Sequence, residues 1–160
     1  VVAASGDPVR ELATEWPNDL SLPEPFSQPR RVMPGVFAIE SPEYSSNGNS
    51  NEVARLAEVM GQWKDRHRDC LAGVMILTLV DDSAFAAASL SNWLWTTFTR
   101  SNPAVDVPGV QPSLIDKHWG CSGPLIIDAR VKPSHAPPLI EDPKTTAKVD
   151  ARAARGGPDL

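Results

Sequence analysis

Lys117-His118-Trp119-Gly120-Cys121 brings an ammonium, an imidazole, an indole and a thiol into one short stretch. Such a set has the parts of a nucleophile pair or of a zinc site. A Cys–His nucleophile pair needs the two side chains in contact and a third group to orient the imidazole. Neighbours in a glycine-containing loop do not provide that by spacing alone. A zinc site needs three or four ligands; His118, Cys121 and His135 offer three, at intervals that follow no usual zinc spacing. The functional reading adopted for Lys117, His118 and Trp119 is a loop lining the mouth of a neighbouring domain's pocket, with Lys132 as a further lining residue.

Asp81-Asp82 close a long apolar run. Ligands of open α/β sheets bind at the carboxyl ends of the strands, so one role for this pair is a metal or polar-ligand site. The other, which we prefer, is capping the next helix, a contribution of roughly 0.5–2 kcal/mol. Arg100 and Asp106 are placed to form an ion pair tying a helix end to the following segment. Asp128, Lys132 and His135 make the last polar cluster, on a stretch that Pro133, Pro137 and Pro138 hold extended. Its structural reading is a strap over another subunit. A small metal hydrolase using Asp81, Asp82, His118 and His135 is a rival reading that requires bound metal. Gly120-Cys121-Ser122-Gly123 lacks the spacing and the lysine of a phosphate loop. No catalytic, cofactor-binding or metal-binding residue is assigned.

The elements that must position these groups follow from hydrophobic period and turn residues. Residues 1–4 are expected to end a strand, and 8–16 to form a short helix with Pro8 in its first turn. The proline-rich segment 17–31 is expected to be an extended connection. Pro34-Gly35 marks a turn before a short strand at Val36–Ile39. A polar loop over 41–50 leads into a helix from about Asn51, where Val53, Leu56, Ala57 and Met60 follow helical spacing. Gly73–Val80 is expected to be a strand buried on both faces. A helix over 85–98 follows, with Trp93 and Trp95 on different faces, one in the core and one at an interface. Val105–Val110 is a strand or edge, Leu125–Ile127 a short buried strand, and 143–154 a last helix opened by Pro143 and ended by Gly156-Gly157. This order predicts an α/β fold, a small parallel or mixed sheet flanked by helices.

Composition narrows the function classes. Hydrophobic residues make up 41% of 160, enough for one core. The net charge is −5, and the 15 Lys and Arg residues are scattered. Neither nucleic acid nor an anionic membrane surface is therefore an expected partner. The longest apolar run, 71–80, is far shorter than the roughly 20 residues of a membrane helix. No signal peptide is visible, and two distant cysteines, Cys70 and Cys121, fit reduced thiols in the cytoplasm.

Residues 76–106 run from a buried strand through Asp81-Asp82 into a helix carrying Asn92, Leu94, Trp95, Thr99 and Arg100, followed by Pro103 and Asp106. Ile127-Asp128-Ala129 and Lys132-Pro133 come later. Together, over residues 73–155, these resemble the C-terminal domain of UbiD-like decarboxylases. The resemblance implies non-oxidative (de)carboxylation of an aromatic or α,β-unsaturated carboxylic acid, with prenylated FMN and a divalent metal in the full enzyme and none bound by this segment alone. It implies a flavin-binding domain of the same enzyme as partner, and a homo-oligomer. Residues 1–50 would be a proline-rich connecting segment and 51–160 the C-terminal domain. No counterpart of the upstream flavin-binding domain is visible. With Val1-Val2-Ala3 at its start, the chain is expected to be a fragment, a processed product or a separate subunit, inactive alone. The alternative is a non-catalytic assembly subunit of a multi-subunit carboxylase.

Overall fold

In the computed structural model, which describes residues 5–45, 49–66, 71–135 and 142–155, the apolar run at 73–80 becomes β3 (Ile76–Val80) at the centre of the sheet. β3 is paired in parallel on both sides, to β2 (Val36–Glu40) and to β6 (Leu125–Asp128). Burial on both faces explains why none of the three strands alternates apolar with polar residues. β1 (Ser27–Met33) closes the other edge, antiparallel to β2, giving the order β1-β2-β3-β6. The fold is thus the expected α/β class with a mixed four-stranded sheet. Pro34-Gly35 makes the β1–β2 turn, with Gly35 at a φ of +76°, a conformation open to glycine and costly for other residues.

Pleating divides the sheet's side chains between two layers. Phe37, Ile39, Leu77, Leu79 and Ile126 face α1 (Asn49–Arg66), which returns Val53, Leu56 and Met60. On the opposite face Ala38, Val80 and Ala129 meet Ala86 of α2 (Ser83–Ala87). There Trp93 of α3 (Leu90–Arg100) donates its indole N–H to Thr78 Oγ1 of β3 at 2.8 Å. Trp93 is the core member of the tryptophan pair; Trp95 is exposed. Each large apolar side chain buried here stabilises the fold by roughly 1.5–3 kcal/mol.

Several expectations need correction. Residues 8–16 form no helix. Their backbone bonds go across the fold instead: Ala13 N–H donates to Gly73 O at 2.9 Å, and Gly35 N–H donates to Ala13 O at 2.8 Å. Trp16 packs edge-on against Phe37. The last part of the 17–31 connection is β1, so the segment before residue 50 gives two strands to the sheet. The helix expected over 85–98 is two helices, because Ser89 breaks the run and caps the second, accepting from Asn92 N–H at 3.1 Å.

Residues 106–110 run along the outer edge of β6 as irregular edge structure, with Ile126 N–H donating to Pro108 O and Asp128 N–H to Asp106 O, both at 2.8 Å. The stretch read as a loop around Lys117 is a hairpin of β4 (Pro112–Ile115) and β5 (His118–Cys121). Asp116 and Lys117 both take positive φ in its turn, the geometry of a tight primed hairpin turn, without the glycine that usually signals one. α4 (Pro143–Ala153) starts as expected, capped by Asp142, and buries none of its residues. Residues 1–4, Cys70 and the Gly156-Gly157 stop lie outside the described residues. No helix of the described residues is long and apolar enough to cross a membrane.

Candidate functional site

The parallel strands deliver acids to one edge. β2 ends in Glu40, β6 ends in Asp128, and Asp81 directly follows β3. Carboxylates brought together this way repel unless cations are interleaved. Three cations do this: Arg100 at the end of α3, and Arg130 and Lys132 on the strap after β6.

Arg130 is fully buried. Its Nε donates to Asp128 Oδ1 at 2.9 Å and its Nη2 to Asp128 Oδ2 at 2.8 Å. Its Nη1 donates to Pro42 O at 3.0 Å and meets Glu52 Oε2 at 3.4 Å. Burial pushes the Asp128 carboxyl up. The Arg130 hydrogen bonds and the charges of Arg130 and Lys132 outweigh it and hold the carboxyl below its ordinary value. Burial likewise works against the guanidinium of Arg130, and Asp128 and Glu52 more than offset it.

Lys132 is also turned inward, 8% exposed. Its Nζ donates to Asp128 O at 2.8 Å and Arg100 O at 3.1 Å, and pairs with Asp106 Oδ2 at 3.4 Å. His135 Nδ1 accepts from the Lys132 backbone N–H at 3.1 Å. The Tyr44 ring lies 5.7 Å from both the Arg130 guanidinium and the Lys132 ammonium. Arg100 pairs with Asp81 at 3.1 Å and lies over the Trp95 ring at 5.2 Å. Asp81 also accepts from Val131 N–H at 2.9 Å.

The ion pair expected between Arg100 and Asp106 is therefore exchanged. Arg100 takes Asp81, because the end of α3 faces the end of β3, and Asp106 takes Lys132 while accepting from Asn102 N–H. Asp82 is the helix cap of the preferred reading, accepting from Phe85 N–H at 2.8 Å. Arg130, Glu52 and Tyr44 were missed by the sequence reading. The available signal was an arginine two residues past an acid that ends an apolar run.

The remaining site residues are elsewhere. Lys117, His118 and Trp119 sit on the β4–β5 hairpin, which leaves the sheet before β6 begins, whereas Lys132 comes after β6 ends. All three are exposed. His118 and Cys121 are thus separated from His135 by the length of β6, and the metal-hydrolase set of Asp81, Asp82, His118 and His135 is not assembled. Among the described residues no three His, Cys, Asp or Glu side chains are grouped to hold a metal. Burial pushes the Cys121 thiol up, and its Sγ donates to Gly123 O, so nothing in this environment activates a thiolate. A cleft of about 580 Å³ opens at the amino ends of β3 and β6, lined by Arg10, Lys64, Leu71, Met75 and Cys121 among others.

The carboxyl-edge network can fix the strap 129–135 against the sheet. It does not resemble a proton-transfer site, because Asp81, Asp106 and Asp128 are each paired with a cation. Nor does it fit a flavin phosphate or its metal: the three cations are engaged by Asp81, Asp106, Asp128 and Glu52.

No family model matches the chain. The chain is 31% identical over 86 residues to a 4-hydroxybenzoate decarboxylase subunit of Chlamydia pneumoniae, covering 54% of this chain and 15% of that protein. It is 30% identical over 82 residues to an uncharacterized protein of Chlamydia trachomatis serovar D, covering 51% of this chain and 14% of that protein. The chain thus spans only about 15% of the length of the curated relatives it matches. Among solved structures, the open form of Sedimentibacter hydroxybenzoicus vanillic acid decarboxylase aligns with 75% of this chain and 26% of its own, at 17% identity and a TM-score of 0.38. That likeness is too loose to transfer anything from one chain to the other.

Proposed function

We propose that this chain is the C-terminal part of a UbiD-like (de)carboxylase acting on an aromatic or α,β-unsaturated carboxylic acid. The observation that carries the reading is the 31% identity over 86 residues to a 4-hydroxybenzoate decarboxylase subunit. In this reading the four-stranded sheet, to which residues before 50 contribute β1 and β2, and its helices form an assembly domain. Prenylated FMN and its divalent metal are held by the flavin-binding domain of the same cytoplasmic enzyme. The exposed β4–β5 hairpin, with Lys117, His118 and Trp119, is the part of this chain that reaches toward the substrate pocket.

A second reading is a non-catalytic assembly subunit of a multi-subunit carboxylase. The internally matched charge network favours it, because Asp81, Asp106 and Asp128 at the carboxyl edge are each engaged by a cation, Arg100, Lys132 and Arg130.

Purification from the native host, with intact mass, flavin absorbance and carbon dioxide release from 4-hydroxybenzoate and other aromatic acids, tests both. A larger flavin-containing protein that decarboxylates supports the first. A colourless chain of this size, co-purifying with a separate flavoprotein that decarboxylates, supports the second. Failure of every assembly containing the chain to decarboxylate any of these acids overturns both. Turnover by the flavin-free 160-residue chain overturns the division of labour they share.

A further inference from the structure

The cleft at the amino ends of β3 and β6 is lined by two cations, and among the described residues neither forms an ion pair. Arg10 reaches it from the segment before β1, and Lys64 from the last turn of α1. Arg10 donates through Nη1 to Met75 Sδ at 3.3 Å, and a thioether is a weak acceptor. The Lys64 ammonium donates to Gln111 Oε1 at 2.9 Å and to Ser122 Oγ at 3.4 Å, both neutral. The acid of this network, Asp65, accepts from the Gln111 amide at 2.8 Å and does not line the cleft.

The carboxyl edge is the opposite case, since Arg100, Arg130 and Lys132 each have an acid there. Uncompensated positive charge thus lies at the other end of the strands, in a chain whose net charge is −5. The rest of the lining is aliphatic or small: Leu71 and Val74 are buried, Met75 is half-buried, and none of the described lining residues is aromatic. A space of about 580 Å³ is that of a small-molecule site. Ala13 N–H donates to Gly73 O at 2.9 Å, which fixes the segment carrying Arg10 beside the cleft. A guanidinium fork matches the two oxygens of a carboxylate, and an ammonium adds a point charge.

We propose that this cleft binds a small aliphatic carboxylate, its head between Arg10 and Lys64 and its hydrocarbon tail against Leu71, Val74 and Met75. Arg10 exchanges its thioether contact for a charge-assisted hydrogen bond, which is the stronger of the two. Lys64 keeps Gln111 and Ser122 and gives its third N–H to the ligand. An aromatic ring finds no ring to pack against here, so the lining favours an aliphatic tail. The site is independent of the decarboxylase activity proposed above and does not rest on it.

Hexanoate titrated into the isotopically labelled 160-residue chain, followed by amide chemical shifts, tests this. Saturable shifts are expected at Val74, Met75 and Ser122. Arg10→Gln and Lys64→Gln should each weaken binding about tenfold, the loss of one hydrogen bond to a charged group. Arg66→Gln removes a cation from the same turn of α1 but outside the cleft, and should leave affinity unchanged. On the native chain, hexylammonium, inorganic phosphate and benzoate should all bind more weakly than hexanoate, a comparison that does not depend on how any variant folds. No saturable shift with hexanoate, equal or tighter binding of any of the other three, or an equal loss in Arg66→Gln and Lys64→Gln overturns the proposal. No readout involves decarboxylation, so this inference can fail while the proposed activity stands, and the reverse.

Discussion

Arg130 and Asp128 face each other inside the carboxyl edge of the sheet, joined by two parallel hydrogen bonds of 2.9 and 2.8 Å. The arginine side chain is fully buried and the aspartate nearly so. A buried pair of this kind is not strong evidence of net stability, but breaking it is costly, because the surviving charge has no water to return to. Asp128→Ala is therefore expected to destabilise by about 3–5 kcal/mol. Replacing both residues by apolar ones of similar volume should cost much less. Urea unfolding of the single and double variants checks this; a single variant within about 1 kcal/mol of the parent chain (about a fivefold change in the folding equilibrium) would contradict the burial seen here.

The same pair gives the fold an acid limb. The Asp128 carboxyl is held below its ordinary value when folded, so as pH falls the unfolded chain takes up the proton first. Its contribution is fully present above the unfolded value of about 4, and is lost as pH falls through the lower folded value. Stability should therefore drop below about pH 4. In Asp128→Asn that part of the drop should be missing. Asp142 shifts in the same direction through the Thr145 and Lys144 hydrogen bonds, but it is exposed, so Asp142→Asn should leave the acid limb nearly unchanged.

The Trp93–Thr78 bond ties α3 to the central strand from within the core. Trp93→Phe keeps a ring in place but removes the donor, leaving the Thr78 hydroxyl buried without it. The expected cost is about 1–3 kcal/mol. Thr78→Val in the Trp93→Phe background should recover part of it, because both polar partners are then gone. Thermal unfolding of the two variants measures the recovery, and none at all would mean the loss is one of packing.

Elements with a clear hydrophobic period were legible in the sequence, whereas the Ser89 cap that divides 85–98 into two helices was not. β3 announced itself as an apolar run, α1 by the spacing of Val53, Leu56 and Met60, α4 by Pro143 in its first turn. The illegible parts depended on partners distant in sequence. Nothing local says that Ala13 bonds to Gly73 and Gly35, so residues 8–16 looked helical. Asp116-Lys117 makes a hairpin turn without a glycine. At the carboxyl edge, Asp81 and Asp106 could be seen as acids awaiting cations. The exchange that gives Arg100 to Asp81 and Lys132 to Asp106 comes only from the order of the strands.

That long-range strap at residues 9–16 supplies the last prediction. A Cβ on Gly73 would stand 2.6 Å from Ala13 N and 2.9 Å from Glu11 O. Both are backbone atoms, so no side chain can swing away to make room. Gly73→Ala must push the strap off the sheet or shift the start of β3, and the strap is the weaker of the two. It is held at Ala13 by two backbone bonds, whereas β3 is paired on both sides along its length. Overpacking of this kind costs about 1–3 kcal/mol. The sheet should persist while residues 9–16 lose protection. Amide exchange should accelerate at Ala13 and at Gly35, whose N–H donates to Ala13 O, with Leu77 and Leu79 little changed. If exchange instead rises equally across β3, the strap is part of the sheet's cooperative unit, and Trp16 against Phe37 is the contact that makes it so.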